Sequence, residues 1–186
     1  MTSTLNDTGL VSGTYTVDPS HSRIGFVARH AMVTKVRGAF NEFDATAEID
    51  ADDLSRSRVH VGIKTNSIDT RNEQRDGHLR SNDFLDIENF PEITFTSTEV
   101  QPVGADVVRV TGDLSIKGTT RPVTVDFTYE GAATDPFGNH RVGFEGAVTI
   151  NRKDWGVNWN AALEAGGVLV SEKITLEFEI SAIKSA

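Results

Sequence analysis

Hydrophobic and polar residues alternate with a period of two along most of this chain, which is typical of strands that bury one face. The clearest run is 174–180, where four large apolar residues alternate with threonine and glutamate. Similar runs lie at 24–26, 59–63, 93–95, 108–116, 123–129 and 142–150. The pattern predicts about eight or nine strands in succession.

Turn-forming residues separate these runs. Gly, Pro, Asn or Asp stand at turn positions in 18–20, 117–122 and 135–139. Short connections of this kind predict an antiparallel sandwich or a closed barrel, and closure is favoured because it leaves no long exposed strand edges. An eight-stranded barrel has room for side chains or for one small ligand. Since the inward residues are Phe, Ile, Val and Leu, anything held inside should be apolar.

One strand region changes phase. Within 36–49 the large apolar residues switch parity after Phe40, so a single register cannot bury them all. A β-bulge near Asn41–Glu42 would correct the register and bend the strand.

The segment 70–85 is the one stretch that reads as a helix. It has no alternation and no proline, and Asp69 or Thr70 could cap its start. A further short turn or helix is expected at 158–163.

The composition of the chain argues against several classes of function. The formal net charge is −9, and an acidic surface argues against a general nucleic-acid binder. The chain has no cysteine, and its five histidines lack the spacing of a zinc site, so neither a metal nor another cofactor is expected.

No stretch approaches the roughly 18 apolar residues of a membrane span. Residues 1–12 lack the features of a signal peptide, which predicts a flexible leader, a single domain at 13–186 and a cytoplasmic location.

Five ordered motifs carry a resemblance to a known family. The first is Asp-Pro-Ser-His-Ser-Arg-Ile-Gly-Phe at 18–26, followed by His30 and by Val-Arg-Gly-Ala-Phe at 36–40. The others are Ser-Ile-Asp-Thr at 67–70 running into 75–86, then 90–95, 112–123 and 150–156. In order and spacing, from about residue 14 to 180, the chain resembles the bacterial YceI-like family.

The resemblance implies an all-β fold: a lipocalin-like antiparallel barrel of eight strands, with the helix at about 70–85 packed at or near one end. It also implies binding, carriage or sequestration of a long isoprenoid-type molecule, such as a quinone or a polyprenyl phosphate, in the barrel interior. The family has no established catalytic residues, so the chain is expected not to be an enzyme. The predicted apolar lining is Phe26, Phe40, Ile63, Phe84, Phe95, Val110, Leu114, Phe127, Phe144, Val148, Trp155, Leu176 and Phe178.

A polar head group needs partners, because burying it unpaired costs a few kcal/mol. The head is therefore expected at a barrel mouth beside hydrogen-bond donors, with the tail running inward. The candidate donors are Arg23 and His30 on an early strand, and Arg75 and His78 on the helix.

Two other functions stay open at this point. Asp76 and His78 could serve an enzyme acting on a lipid-like substrate, although the favoured interpretation is that Arg75, Asp76 and His78 pin the helix to the barrel by hydrogen bonds. Alternatively, the barrel could be a packed scaffold protein of a stress response, without a continuous void. A homodimer is possible, since Val27 and Val100 are expected to face outward.

Overall fold

The computed structural model describes residues 9–163 and 167–185, which form eleven strands, one α-helix and several short 3-10 turns. The strands are β1 (Gly13–Val17), β2 (Arg23–His30), β3 (Thr34–Phe40), β4 (Phe43–Ile49), β5 (Arg58–Lys64), β6 (Ile68–Asp69), β7 (Glu92–Pro102), β8 (Val107–Ile116), β9 (Thr119–Thr134), β10 (His140–Asn151) and β11 (Lys173–Lys184). The helix is α1 (Glu73–Arg80), and 3-10 turns lie at Pro19–His21, Leu54–Arg56, Thr65–Ser67 and Arg152–Trp155.

Eight strands close into an antiparallel barrel. They follow the order β1-β4-β5-β7-β8-β9-β10-β11, and β11 pairs with β1 to complete the ring. Most neighbours in the ring are also neighbours in sequence, as hairpin connections require. The eight-stranded antiparallel barrel expected from the sequence is confirmed.

The hairpin of β2 and β3 extends the barrel wall at one end. β11 pairs with β1 through its last residues and with β2 through Thr175 to Glu179, so β1 and β2 act as one strand interrupted by the turn at Pro19–His21. In the same way β3 and β4 form one return strand, and β6 adds a short pairing to the end of β3. The hairpin tip therefore projects beyond the ring.

The phase change in 36–49 takes the form of a break between strands. β3 ends at Phe40 and β4 begins at Phe43, so two residues leave the ladder where a bulge was expected. The backbone N–H of Asn41 donates instead to the carbonyl of Ser67, at 3.1 Å. This break lets Phe40 and Ala45, which have opposite parity, both face the interior.

The helix is shorter than the sequence indicated. Arg71 has a φ of 64°, in the left-handed region, so a helix cannot run through it from residue 70. The cap is Asn72, whose side chain accepts from the Arg75 N–H, rather than Asp69 or Thr70. The helix or turn expected at 158–163 is also wrong, because the regular turn of this region lies earlier, at Arg152–Trp155.

The two ends of the barrel differ. At the first, which we call the Leu10 end, a cluster of buried side chains fills the interior; it comprises Leu10, Tyr15, Ala51, Leu54, Val100, Val108, Val110, Tyr129 and Val142. Most of the leader expected at 1–12 lies outside the described residues, but Leu10 is buried, so the packed structure begins before residue 13. At the second, the helix end, α1 meets the segments 81–91 and 152–163, and Leu79 and Leu85 pack on the core.

Val100 does not face outward, as a dimer contact would require. The pairing of β7 with β8 shifts between Ser97 and Glu99, and this irregularity reverses the parity of the strand. Val100 is therefore buried in the cluster at the Leu10 end. Val27 lies opposite Arg37 on the outer side of the β2–β3 hairpin and is half-buried.

An ion cluster ties the β9–β10 turn to the end of β1. The Arg141 guanidinium lies 2.8 Å from an oxygen of Asp18 and 2.7 Å from one of Asp135. These bonds hold the pKa of the Asp18 carboxyl well below its usual range and lower the pKa of Asp135 to about 2. Both carboxylates therefore stabilise the folded state at neutral pH and lose that contribution as acid protonates them.

We expect Arg141→Met to be less stable than the wild type at neutral pH, by about 2–4 °C in Tm. Without Arg141 both carboxyl pKa values return toward about 3.9, the ordinary value. The stability gap between the two proteins should then narrow as the pH falls from about 5 toward 2. Thermal unfolding measured across this pH range tests the expectation, and a gap that stays constant with pH would contradict it.

Candidate functional site

A continuous cavity of about 330 Å³ runs inside the barrel. This volume lies at the lower end of the range that small-molecule sites occupy. Apart from Tyr15, Thr46, Ser57 and Arg152, the residues that line it are apolar or glycine. The packed scaffold considered above would have had no such void.

The thirteen apolar residues expected to form the lining all lie on the cavity wall. Several, among them Phe26, Phe127 and Phe144, are only half-buried although they face inward. In a filled core they would be surrounded on all sides, so their remaining exposure reflects the open interior. Their contact with a ligand stays a prediction. Lining residues outside the strands, such as Leu10, Leu54 and Leu79, were not predicted from the sequence.

Glycines let aromatic rings lie close against the wall. A Cβ atom added at Gly38 would stand 2.4 Å from the ring of Phe26, and one at Gly112 would stand 2.5 Å from the ring of Phe95. Neither distance is possible, so both rings occupy space that a side chain would otherwise fill. The rings can thus lie back on neighbouring strands and leave the centre of the barrel open.

Arg152 is the charged residue on the cavity wall within the described part of the chain. It is 6% exposed, and its guanidinium donates to the carbonyls of Ser171, Val157 and Val170 at 2.8, 2.5 and 3.3 Å. Burial lowers its pKa, an effect that the charge of Glu172 opposes. Arg152 thereby joins the turn after β10 to Val157 and to the pair Val170 and Ser171 at the helix end.

Two tryptophans complete the helix end. Trp155 is buried on the cavity wall, and its indole N–H donates to the Leu114 carbonyl at 2.8 Å. The ring of Trp159 packs edge-on against His78, with centroids 4.6 Å apart, and lies 5.3 Å from the ring of Phe84. Because Phe84 lines the cavity, this aromatic group forms part of the cover at that end.

Comparison with known proteins identifies the family. A model of the YceI-like domain matches residues 15–182, which is nearly the whole chain. The chain belongs to the YceI-like family. Its relatives include UPF0312 proteins of Staphylococcus epidermidis and Staphylococcus aureus, each 40% identical over 169 residues that cover 90% of this chain and 95% of theirs.

Solved structures share the fold. BcnA of Burkholderia cenocepacia superposes with a TM-score of 0.78 at 24% identity, over 89% of this chain and 98% of that one. A YceI protein of Campylobacter jejuni gives 0.73 at 26% identity, over 85% and 90%. A polyisoprenoid-binding domain from Saccharophagus degradans, implicated in plant cell wall breakdown, gives 0.70 at 16% identity, over 92% and 98%. The YceI-like barrel fold is thus confirmed.

None of the four predicted head-group donors of this YceI-like chain lies on the cavity wall. Arg23 is on the outer face, where it contacts Glu177 at 3.4 Å and donates to the carbonyl of Gly38. His30 is exposed at the end of β2 and forms a bridge with Val170, which does line the cavity. His30 therefore stands beside the helix end, whereas Arg23 is held elsewhere.

Arg75 and Asp76 fix the start of α1. Arg75 donates to the hydroxyl and the carbonyl oxygen of Thr70, at 2.7 and 2.6 Å. The buried Asp76 carboxylate accepts from the backbone N–H and the hydroxyl of Thr70, at 2.9 and 2.5 Å. His78 bonds to Asp83 instead, at 2.8 Å. Asp76 and His78 therefore have separate partners, and the contacts of Arg75 and Asp76 are those of residues that pin the helix.

The described residues contain no helix that is long and apolar enough to cross a membrane; α1 has eight residues. The cytoplasmic location expected from the N-terminal sequence stays a prediction.

Proposed function

We propose that this YceI-like barrel binds a long apolar molecule of the isoprenoid type in its cavity, and that it carries or sequesters that molecule. The observation that supports this most is the continuous apolar cavity, whose wall extends from Leu10 to Trp155. A flexible prenyl chain gains about 0.8 kcal/mol for each methylene taken from water, which offsets the entropy of ordering it. The polyisoprenoid-binding description of the Saccharophagus degradans domain agrees with this proposal.

A quinone or a polyprenyl phosphate suits the charge distribution of the cavity. Arg152 puts a positive charge at the helix end, whereas the cluster at the Leu10 end is apolar except for its tyrosine hydroxyls. We infer that an oxygen-bearing head group lies at the helix end, within reach of His30, and that the tail points toward Leu10.

Binding rather than catalysis is proposed because the wall offers no acid–base pair. Among the described residues that line the cavity there is no carboxylate and no histidine. The His78–Asp83 pair lies behind Phe84, on the far side of the cavity cover. Recovery of a chemically altered ligand would favour the enzyme alternative, and loss of that alteration in His78→Ala would assign it to His78.

Affinity is expected to rise with tail length and then to level off. Native mass spectrometry with quinones that carry increasing numbers of prenyl units gives the measurement, and the tail-free quinone serves as the control ligand. Each added unit should strengthen binding at least severalfold until the cavity is filled, because each buries further methylene groups. An affinity that does not depend on tail length would place the ligand outside the barrel.

A further inference from the structure

Basic residues are concentrated in the β2–β3 hairpin of this acidic protein. The chain has 27 acidic and 18 basic residues, yet 19–41 contains no Asp or Glu and carries four of the basic ones. These are Arg23, Arg29, Lys35 and Arg37. The hairpin is therefore a local positive region on a molecule whose net charge is −9.

Three of these cations share one face and have no acidic partner among the residues that the structure describes. Arg29 lies directly opposite Lys35, and Arg37 lies opposite Val27 in the same outward register. All three are exposed, and none of them forms a salt bridge within 9–163 and 167–185. Other strand cations do have an acidic partner across the ladder, as Arg109 has in Asp126 at 2.8 Å and Arg58 has in Glu48.

Protection of a strand edge does not account for this arrangement. Charges on β3, such as Lys35, do discourage pairing at an open edge. Arg29, however, does not lie at an open edge, because its backbone pairs with Lys35 of β3 on one side and bonds to Ser171 on the other. Like charges directly opposite each other destabilise a strand pair, so the Arg29–Lys35 pair weakens the isolated protein. An external anionic surface would relieve that repulsion.

The hairpin tip is apolar and exposed. Met32 is 59% exposed and Val33 is 76% exposed. Ala31 and Met32 have φ values of 51° and 65°, a conformation that favours glycine or asparagine, so the turn geometry does not explain these residue types. The tip is held in place, because the Ala31 N–H donates to the Leu169 carbonyl at 2.7 Å, next to Val170 on the cavity wall.

We propose that this tip docks on an anionic lipid surface. Met32 and Val33 enter the boundary between headgroups and acyl chains, while Arg29, Lys35 and Arg37 contact lipid phosphates. The acidic remainder of the barrel is repelled, so the molecule approaches hairpin first. Docking in this orientation brings the helix end of the cavity to the membrane, although the docking itself does not depend on what the cavity holds.

Co-sedimentation with vesicles tests the docking. The full chain should bind vesicles made of equal parts phosphatidylglycerol and phosphatidylcholine, and it should bind pure phosphatidylcholine vesicles far more weakly. The combined variant Arg29→Gln, Lys35→Gln, Arg37→Gln should lose affinity on the order of a hundredfold, since each cation near an anionic surface contributes severalfold. Met32→Ser with Val33→Ser should weaken binding at every salt concentration, whereas the loss of cations should matter most at low salt.

A matched variant separates local charge from net charge. Arg56→Gln, Arg58→Gln, Lys64→Gln removes three exposed cations that are paired with acids elsewhere on the barrel, so it changes the net charge equally. Its affinity for anionic vesicles should stay within a fewfold of the wild type. The combined Arg29, Lys35 and Arg37 variant, which we call the hairpin variant, should instead lose most of its affinity. An equal loss in both variants, no preference for anionic lipid, or equally tight binding to soluble heparin would overturn the proposal. Tail-length-dependent quinone binding by the hairpin variant, measured without vesicles, keeps the proposed function separate.

Discussion

Ala45→Phe is expected to abolish most of the binding of long isoprenoid chains while leaving the barrel folded. Ala45 lies on the cavity wall opposite Val61, whose other cross-strand partner is Phe95. Phe95 packs against both core clusters and therefore marks the middle of the barrel. A second ring at this level would divide the cavity, so a long tail could no longer pass from the helix end toward the Leu10 end.

The size of the effect depends on how much of the isoprenoid tail is excluded from the cavity. Each methylene group left in water costs about 0.8 kcal/mol, so losing even two of them weakens binding about tenfold. Short-tailed quinones, which need only the helix-end half, should bind nearly as they do to the wild type. Titration with a long-tailed and a short-tailed quinone, followed by native mass spectrometry, measures the difference.

Ala147→Phe is the matched control. Ala147 is exposed on β10, opposite Glu177, so the same ring is added to the outer surface instead of the cavity. This variant should bind both quinones normally. Unchanged long-chain binding by Ala45→Phe would show that the tail does not occupy the barrel, and the proposed function would then be wrong.

Most of the fold prediction rested on the alternation of apolar and polar residues along the strands. Because side chains on a strand point to opposite faces in turn, parity alone places Phe127 and Leu176 inside the barrel. Parity fails where the backbone leaves the ladder, as it does before Val100, where nothing in the residue types announces the shift. The helix start was misplaced for a similar reason, since the left-handed conformation of Arg71 is a property of the folded chain.

The polar residues of the site were harder to predict from the sequence. Long side chains such as Arg23 and Arg75 reach whichever acceptor the fold brings near them, and here those acceptors are Glu177 and Thr70. Arg152 was missed as a site residue because its acceptors lie on segments that come together only in three dimensions. Its place in the family motif at 150–156 was the available signal.

Arg152→Met should be the most destabilising single change considered for this protein. Methionine fills similar apolar space but cannot donate, so the carbonyls of Val157 and Ser171 lose their bonds from Arg152 at a buried site, while the Val170 carbonyl keeps its bond from the Asn160 amide. Hydrogen bonds to a charged donor contribute about 1.5–3 kcal/mol each, and the relief of burying a cation offsets part of the loss. We expect a net loss of about 3 kcal/mol, or a Tm lower by about 6–12 °C.

Two further variants make the result specific. Arg152→Lys keeps the charge but has no planar fork to reach three carbonyls, so its stability should fall between those of Arg152→Met and the wild type. Lys153→Met removes the neighbouring cation, which is half-exposed and bonds Glu172 at 2.9 Å, and it should cost less than about 1 kcal/mol. Urea unfolding of all three gives the comparison. If Arg152→Met were no less stable than Lys153→Met, the hydrogen bonds of Arg152 would not be what stabilises the helix end. Val157 and Val170 would then be held in place by their apolar contacts alone.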